Sequence, residues 1–183
     1  WIYAEEGSSS DDKIINMFES GLAIYDELED NNAGVGTNVD LGYYYCVAVG
    51  QVDKSLFYIK RALKLAEEFG SKSDLSIGYL GIGFYHFFVG DYEKSDKYYN
   101  KSLELGTEIG DHSLMSLMNQ CLGESYFLNK EYILAIAEYD RLIRRMGFSE
   151  YVQKARWRIC QCYVEQSPKY YHEQSSTERA LSK

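Results

Sequence analysis

Three histidines, four cysteines and a surplus of carboxylates are the side chains of this 183-residue chain with the chemistry to serve as bases, nucleophiles or metal ligands. His86, His112 and His172 are scattered, and the chain holds no HxxxH, HExxH or CxxC spacing. A structural or catalytic zinc ion needs three or four such ligands converging on one point, so no metal site is expected. Cys160 and Cys162 stand two apart, which on a helix turns them roughly 200° from one another. No GxxxxGK or GxGxxG follows a strand-like run, and no nucleophile elbow is present. Pairs such as Asp26-Glu27 and Glu67-Glu68 read as solvated helix faces rather than as an acid and a base held together. No catalytic residue is nominated, no cofactor is implied, and the chain is expected not to be an enzyme.

The elements that would carry any other function are helices. One Pro in the whole chain, beside 45% hydrophobic residues arranged in long apolar-periodic segments, argues for an all-α fold with ample core. The net charge of −9 repels phosphate backbones, so nucleic acid is not an expected partner. The charge is uneven: residues 141–158 carry Arg141, Arg144, Arg145, Lys154, Arg156 and Arg158 against Glu150 alone, whereas residues 1–40 carry ten acids against Lys13. That is either a solvated surface or a basis for weak head-to-tail association of copies through an acidic start and a basic end. No apolar run is long enough to span a bilayer. The cysteines, Cys46, Cys121, Cys160 and Cys162, all fall in helical apolar patterns, as expected of reduced core thiols in a cytoplasmic protein. The start at Trp1 reads as a fragment of something longer.

Self-similarity organises the helices. Leu41-Gly42-Tyr43-Tyr44-Tyr45, Ile82-Gly83-Phe84-Tyr85-His86 and Leu122-Gly123-Glu124-Ser125-Tyr126 align, with their glycines 41 and 40 positions apart. A turn follows each: Gly50-Gln51-Val52-Asp53, Gly90-Asp91-Tyr92-Glu93 and Asn129-Lys130-Glu131-Tyr132. A third landmark is Ala62-Leu63-Lys64-Leu65-Ala66, repeated at Ser102-Leu103-Glu104-Leu105-Gly106 and Leu142-Ile143-Arg144-Arg145-Met146, with an earlier copy at Gly21-Leu22-Ala23-Ile24-Tyr25. Gly inside a helix costs about 1 kcal/mol against Ala and is worth keeping where another backbone must come close. Gly42, Gly83 and Gly123 are expected to be such points, with the small residues Ala62, Ser102 and Ala135 admitting a neighbour's ring and Tyr92 and Tyr132 wedged past the turn. His86 takes the inward ring position of Tyr45 and Tyr126 and is expected to be a packed, hydrogen-bonded core residue.

These features resemble the tetratricopeptide-repeat family, in a 40-residue variety similar to the kinesin light chain, the leucine-glycine-asparagine-repeat polarity scaffolds, and bacterial regulators of the Rap and MalT kinds. The resemblance implies a right-handed superhelical array of antiparallel helix pairs, about eight to nine helices in all. Its divisions would be a flexible or truncated segment 1–12, a half-repeat 13–30, repeats 35–72, 73–110 and 112–147, and an irregular last or capping unit 149–183. The family's usual Pro at the end of the second helix is missing; Gly70-Ser71 and Gly110-Asp111 supply a Gly stop and a polar cap instead. Ser167-Pro168 reads as the start of a polar closing helix that runs to about Leu181.

In that family the first helices of each pair line the concave side, which implies a binding groove formed by Val39 and Tyr43, then Leu80, Phe84, Phe87 and Phe88, then Gln120, Glu124 and Phe127, and finally Trp157 and Gln161. Phe87 and Phe88 are the two most open to a core role. Such a groove is aromatic rather than cationic, so it lacks the Lys/Asn/Lys/Arg clamp that related domains use on a C-terminal carboxylate. The expected function is a protein-protein interaction scaffold that binds a peptide or amphipathic helix. The alternatives are a peptide- or ligand-sensing module of a larger signalling protein, such as a transcription regulator or nucleotide cyclase, and a homo-oligomeric assembly domain.

Overall fold

The computed structural model describes residues 2–167 and 175–182. Nine α-helices and no strand occur among the described residues: α1 (Ile2–Glu27), α2 (Asn31–Tyr44), α3 (Val52–Phe69), α4 (Lys72–Phe88), α5 (Tyr92–Ile109), α6 (His112–Leu128), α7 (Tyr132–Arg145), α8 (Val152–Gln166) and α9 (Ser175–Leu181). A π-helical turn, Tyr45–Val49, extends α2. Two compact units divide the chain after Leu105. In the first, α2 packs against α1, α3 and α4; in the second, α7 packs between α6 and α8, and α9 lies on α8. Residues 2–12, expected as a flexible or truncated leader, are the opening turns of α1. Pro168 and His172 lie outside the described residues; α9 ends at Leu181, where the closing helix was expected to stop.

The helix boundaries follow from local chemistry. Ser71 caps α4 in a capping box: its hydroxyl accepts from the Asp74 N–H, and the Asp74 carboxylate accepts from the Ser71 N–H at 2.9 Å. Asp111 caps α6 by accepting from the Leu114 N–H at 2.9 Å. The turns inside the pairs share one left-handed residue every 40 positions: Gly50 at φ 73°, Gly90 at φ 80° and, in the third pair, Lys130 at φ 62°. A Cβ at that conformation crowds the following carbonyl, so the third pair carries a cost that the first two avoid.

Each pair is closed by a knob from its second helix that enters a Gly on its first. Ile59, Tyr99 and Tyr139, 40 residues apart, are each 0–1% exposed. A Cβ added to Gly42 would meet Ile59 Cγ1 at 2.6 Å, one added to Gly83 would meet the Tyr99 ring at 2.6 Å, and one on Gly123 would overlap the ring of Tyr139. Full burial of such a side chain is worth about 2–3 kcal/mol, against about 1 kcal/mol for Gly in a helix, so the exchange favours the pair. This corrects the expectation that small residues of the second helix admit the ring: the glycine of the first helix does so. Ala62, Ser102 and Ala135 are buried for a different reason, as close-approach points; the Ser102 hydroxyl, for example, donates to the Ser76 carbonyl of α4 at 2.9 Å. A further close approach, unanticipated, joins α2 to α4, where Val39 lies 2.9 Å from the place of a Cβ on Gly81.

Two stability outcomes follow. Gly123→Ala drives a methyl into the Tyr139 ring and lowers stability by about 1–3 kcal/mol, whereas Gly21→Ala, which has nothing within 4 Å, raises it by up to about 1 kcal/mol. Lys130→Gly relieves the left-handed turn and raises stability by about 0.5–1 kcal/mol. Urea unfolding of the three variants beside the parent chain measures both.

Candidate functional site

In the first unit the first helices α2 and α4 bring a strip of rings together. Tyr43 lies 5.4 Å from Phe84 and 5.9 Å from Phe88, centroid to centroid. Phe84 meets the buried ring of Tyr99 edge-on at 5.7 Å, and Phe88 meets Phe87 at 5.8 Å. These are the separations at which aromatic pairs attract beyond simple burial. Tyr43 and Phe88 are 42% and 43% exposed, Phe84 and Phe87 half-buried. Phe84 is thus anchored from beneath by the core; the open ring of Tyr43 lies against it, and Phe88 packs on Tyr43. Phe87 has a second task, packing edge-on against Tyr92 across the turn at 5.8 Å, and Phe127 does the same to Tyr132 at 5.6 Å in the second unit.

Three of the residues implied for the groove do not face solvent. Val39, Leu80 and Gln120 are buried. The reason is the double role of a first helix: Val39 packs with Ala62 and Ala66 of its own partner and also meets Gly81 of the next first helix, so this side of α2 is covered twice. Gln120 donates to Glu124 at 2.8 Å.

Glu124 is the centre of a polar group that sequence reasoning placed only singly. It accepts from Arg158 Nε at 2.9 Å and Nη2 at 2.6 Å, and Lys154 Nζ stands 3.3 Å away. Arg158 also donates to Gln161 at 2.9 Å, and its guanidinium lies 4.7 Å from the Phe127 ring centre and 5.3 Å from that of Trp157. Burial and the neighbouring Glu124 carboxylate push the Tyr139 hydroxyl far above its ordinary range, so it stays protonated. Trp157 is 58% exposed at the edge of this group. The signal for it was available: Arg158 follows Glu124 by 34 residues, in the first helix of the next pair. What the sequence read as a basic end is partly consumed here. A cleft of about 960 Å³ in the same unit, lined by Ser113, Arg144, Arg145, Phe148 and Tyr151, was not foreseen.

No family model matches this sequence, and no curated protein does. Among solved structures, the crystal structure of BtubC (BKLC) from P. vanneervenii is 16% identical, with a TM-score of 0.79 over 97% of this chain and 71% of that one. A putative kinesin light chain of Podosopora anserina with nearly identical TPR-like repeats is 9% identical, with a TM-score of 0.71 over 96% of this chain and 85% of that one. The fold is that of the TPR-like helical repeats.

Within this TPR-like frame the residues with reactive chemistry are held apart. Among the described residues no group of three or more His, Cys, Asp or Glu is placed to hold a metal ion, and no helix is long and apolar enough to cross a membrane. None of the four cysteines is in a disulfide; burial pushes the Cys162 thiol up to about 12, and the Cys160 thiol lies 3.6 Å from the Ala180 carbonyl. His86 is only partly the core residue expected. It stacks parallel to Tyr98 at 5.7 Å with Tyr85 edge-on, but its Nδ1 is 3.7 Å from Asp91 and has no hydrogen-bond partner among the described residues.

Burial lowers the His86 pKa below its ordinary 6.5; Asp91 opposes this and Lys94 adds to it. A depressed imidazole favours the neutral, folded form, so its contribution to stability is complete above 6.5 and is lost as pH falls through the lower folded value. Replacing His86 with Tyr, the residue at both equivalent positions, should therefore reduce the loss of stability between about pH 7 and about pH 5. Chemical denaturation at the two pH values measures the difference.

Proposed function

We propose that this chain is a non-catalytic protein-interaction scaffold whose first unit receives a peptide or an amphipathic helix on the strip formed by Tyr43, Phe84 and Phe88. The observation that carries this reading is that two exposed rings from different helices, Tyr43 and Phe88, touch each other, and Tyr43 also touches Phe84, which is anchored on the buried Tyr99. Rigid aromatic side chains with a fixed base lose little entropy on contact and are the residue type that dominates interface energies. A helix or extended peptide with apolar anchors at i, i+3 and i+4 suits such a strip. Trp157, with the Arg158 guanidinium 5.3 Å from its ring centre, offers the second unit's own exposed aromatic contact. Four cysteines outside any disulfide support a reducing, cytoplasmic setting within the same reading.

Because Phe84 rests on the core, it is a poor probe of binding. Tyr43→Ala with Phe88→Ala removes only exposed rings. Peptides selected from a displayed random library against the parent chain should bind the double variant at least about tenfold more weakly, the loss expected of one well-buried ring. The double variant should melt within a few degrees of the parent. Selected peptides that bind both chains equally would remove the strip from consideration.

A further inference from the structure

The second helices of the pairs start in step but do not end in step. From Val52 and Tyr92, α3 and α5 each run for 18 residues, whereas α7, starting at Tyr132 in the same register, stops after 14 at Arg145. Residues 66–69 and 106–109 are the last turn of the two longer helices; residues 146–149, their counterparts, are loop. The missing turn leaves the cleft of about 960 Å³ between the start of α6 and the loop that leads to α8. Its walls are fixed. Met146 is buried and its sulfur accepts from the Ser116 hydroxyl of α6 at 2.8 Å, while the Ser149 N–H donates to the Met146 carbonyl at 2.8 Å.

The same register shows a change of chemistry on the wall. Position 145 corresponds to Leu65 and Leu105, both partly buried, but here it holds an exposed arginine that lines the cleft. Arg144 lines it as well, and its Nε donates to the Asp140 carbonyl at 3.3 Å, which holds the side chain on its own helix. The neighbouring cations are engaged elsewhere: Arg141 with Glu138 at 2.6 Å, Lys154 and Arg158 with Glu124. Among the described residues no carboxylate stands within ion-pair distance of Arg144 or Arg145; Arg145 acts at longer range on Glu138, which Arg141 already holds. Glu150 is the single carboxylate on the lining, and Phe148 stands there 108% exposed, with Tyr151 half-buried near it in the chain. Arginines in a last helical turn also favour the carbonyl end of the helix. That role explains a charge at the terminus, but neither the cleft nor a ring left wholly in water on its lining.

We propose that this cleft binds an acidic peptide segment of a partner protein, with its carboxylates on Arg144 and Arg145 and an adjoining apolar side chain against Phe148. A guanidinium donates two parallel hydrogen bonds to a carboxylate, so two of them select a segment with neighbouring acids. The pair is a local exception in a chain of net charge −9, and charge complementarity therefore confines an acidic occupant to this place. Nucleic acid is a poorer occupant, because it presents a continuous row of phosphates to a chain that repels them everywhere else. The cleft shares no residue with the ring strip of the first unit, so either site can fail without the other.

The probe is a fluorescein-labelled peptide, Gly-Ser-Asp-Glu-Phe-Asp-Glu-Leu-Ser-Gly, titrated with the full chain and followed by anisotropy. Binding should saturate and should weaken as salt is raised. Arg145→Glu should weaken it at least about tenfold, whereas Arg156→Glu, the same change of net charge at an exposed arginine outside the cleft lining, should change it less than about twofold. Phe148→Ala should weaken it by about threefold or more with no change of charge. Tyr43→Ala with Phe88→Ala should leave it unchanged, which separates this site from the strip. If Arg145→Glu melts early, Phe148→Ala, which removes only an exposed ring, carries the test. The proposal is overturned by absence of saturable binding, by equal weakening in Arg145→Glu and Arg156→Glu, or by equal binding of the same peptide with Ser in place of its Phe and Leu. A labelled oligothymidylate that binds more tightly than the peptide and is lost with Arg145→Glu also overturns it, since the cleft would then be a nucleic-acid site.

Discussion

The entry of one side chain from each second helix into a glycine of its first helix is the contact on which the rest of the molecule depends. Gly42 with Ile59, Gly83 with Tyr99 and Gly123 with Tyr139 set how close the two helices of a pair lie, and that distance decides which other positions are covered. Once Tyr99 is locked under Gly83, Phe84 meets it edge-on, Tyr43 lies against Phe84, and Phe88 packs on Tyr43. The exposed strip is therefore a consequence of the buried knob. In the second unit, Tyr139 beneath Gly123 lies beside Glu124, and the paired charges of Glu124 and Arg158 are built over it. One repeated packing device thus supports two chemically different surfaces.

Aromatic residues in this chain divide by the support beneath them. Tyr45, Tyr99 and Tyr139 are buried, Phe87 and Phe127 brace the turns against Tyr92 and Tyr132, and Tyr43, Phe88 and Trp157 remain open. For open rings standing on a rigid base, the entropy of ordering has already been lost on folding. Two of the residues with reactive side chains are packed: His86 lies against Tyr98 and Tyr85, and Cys162 is within the core of the second unit.

The all-α class, the pairing of helices, the 40-residue spacing and the positions of the packing glycines were all legible in the sequence, because each rests on periodicity and on the local preferences of Gly, Pro, Asp and Ser. What tertiary structure alone decided is which side of a first helix is left open. Val39, Leu80 and Gln120 share the register of exposed groove residues, yet they are buried, since a first helix meets both its own partner and the next first helix, and no helical period encodes the second neighbour. Likewise, only the fold could show that the side chain entering each packing glycine comes from the second helix of its own pair. Local propensity writes the elements; the distance between them determines which side chains a partner can touch.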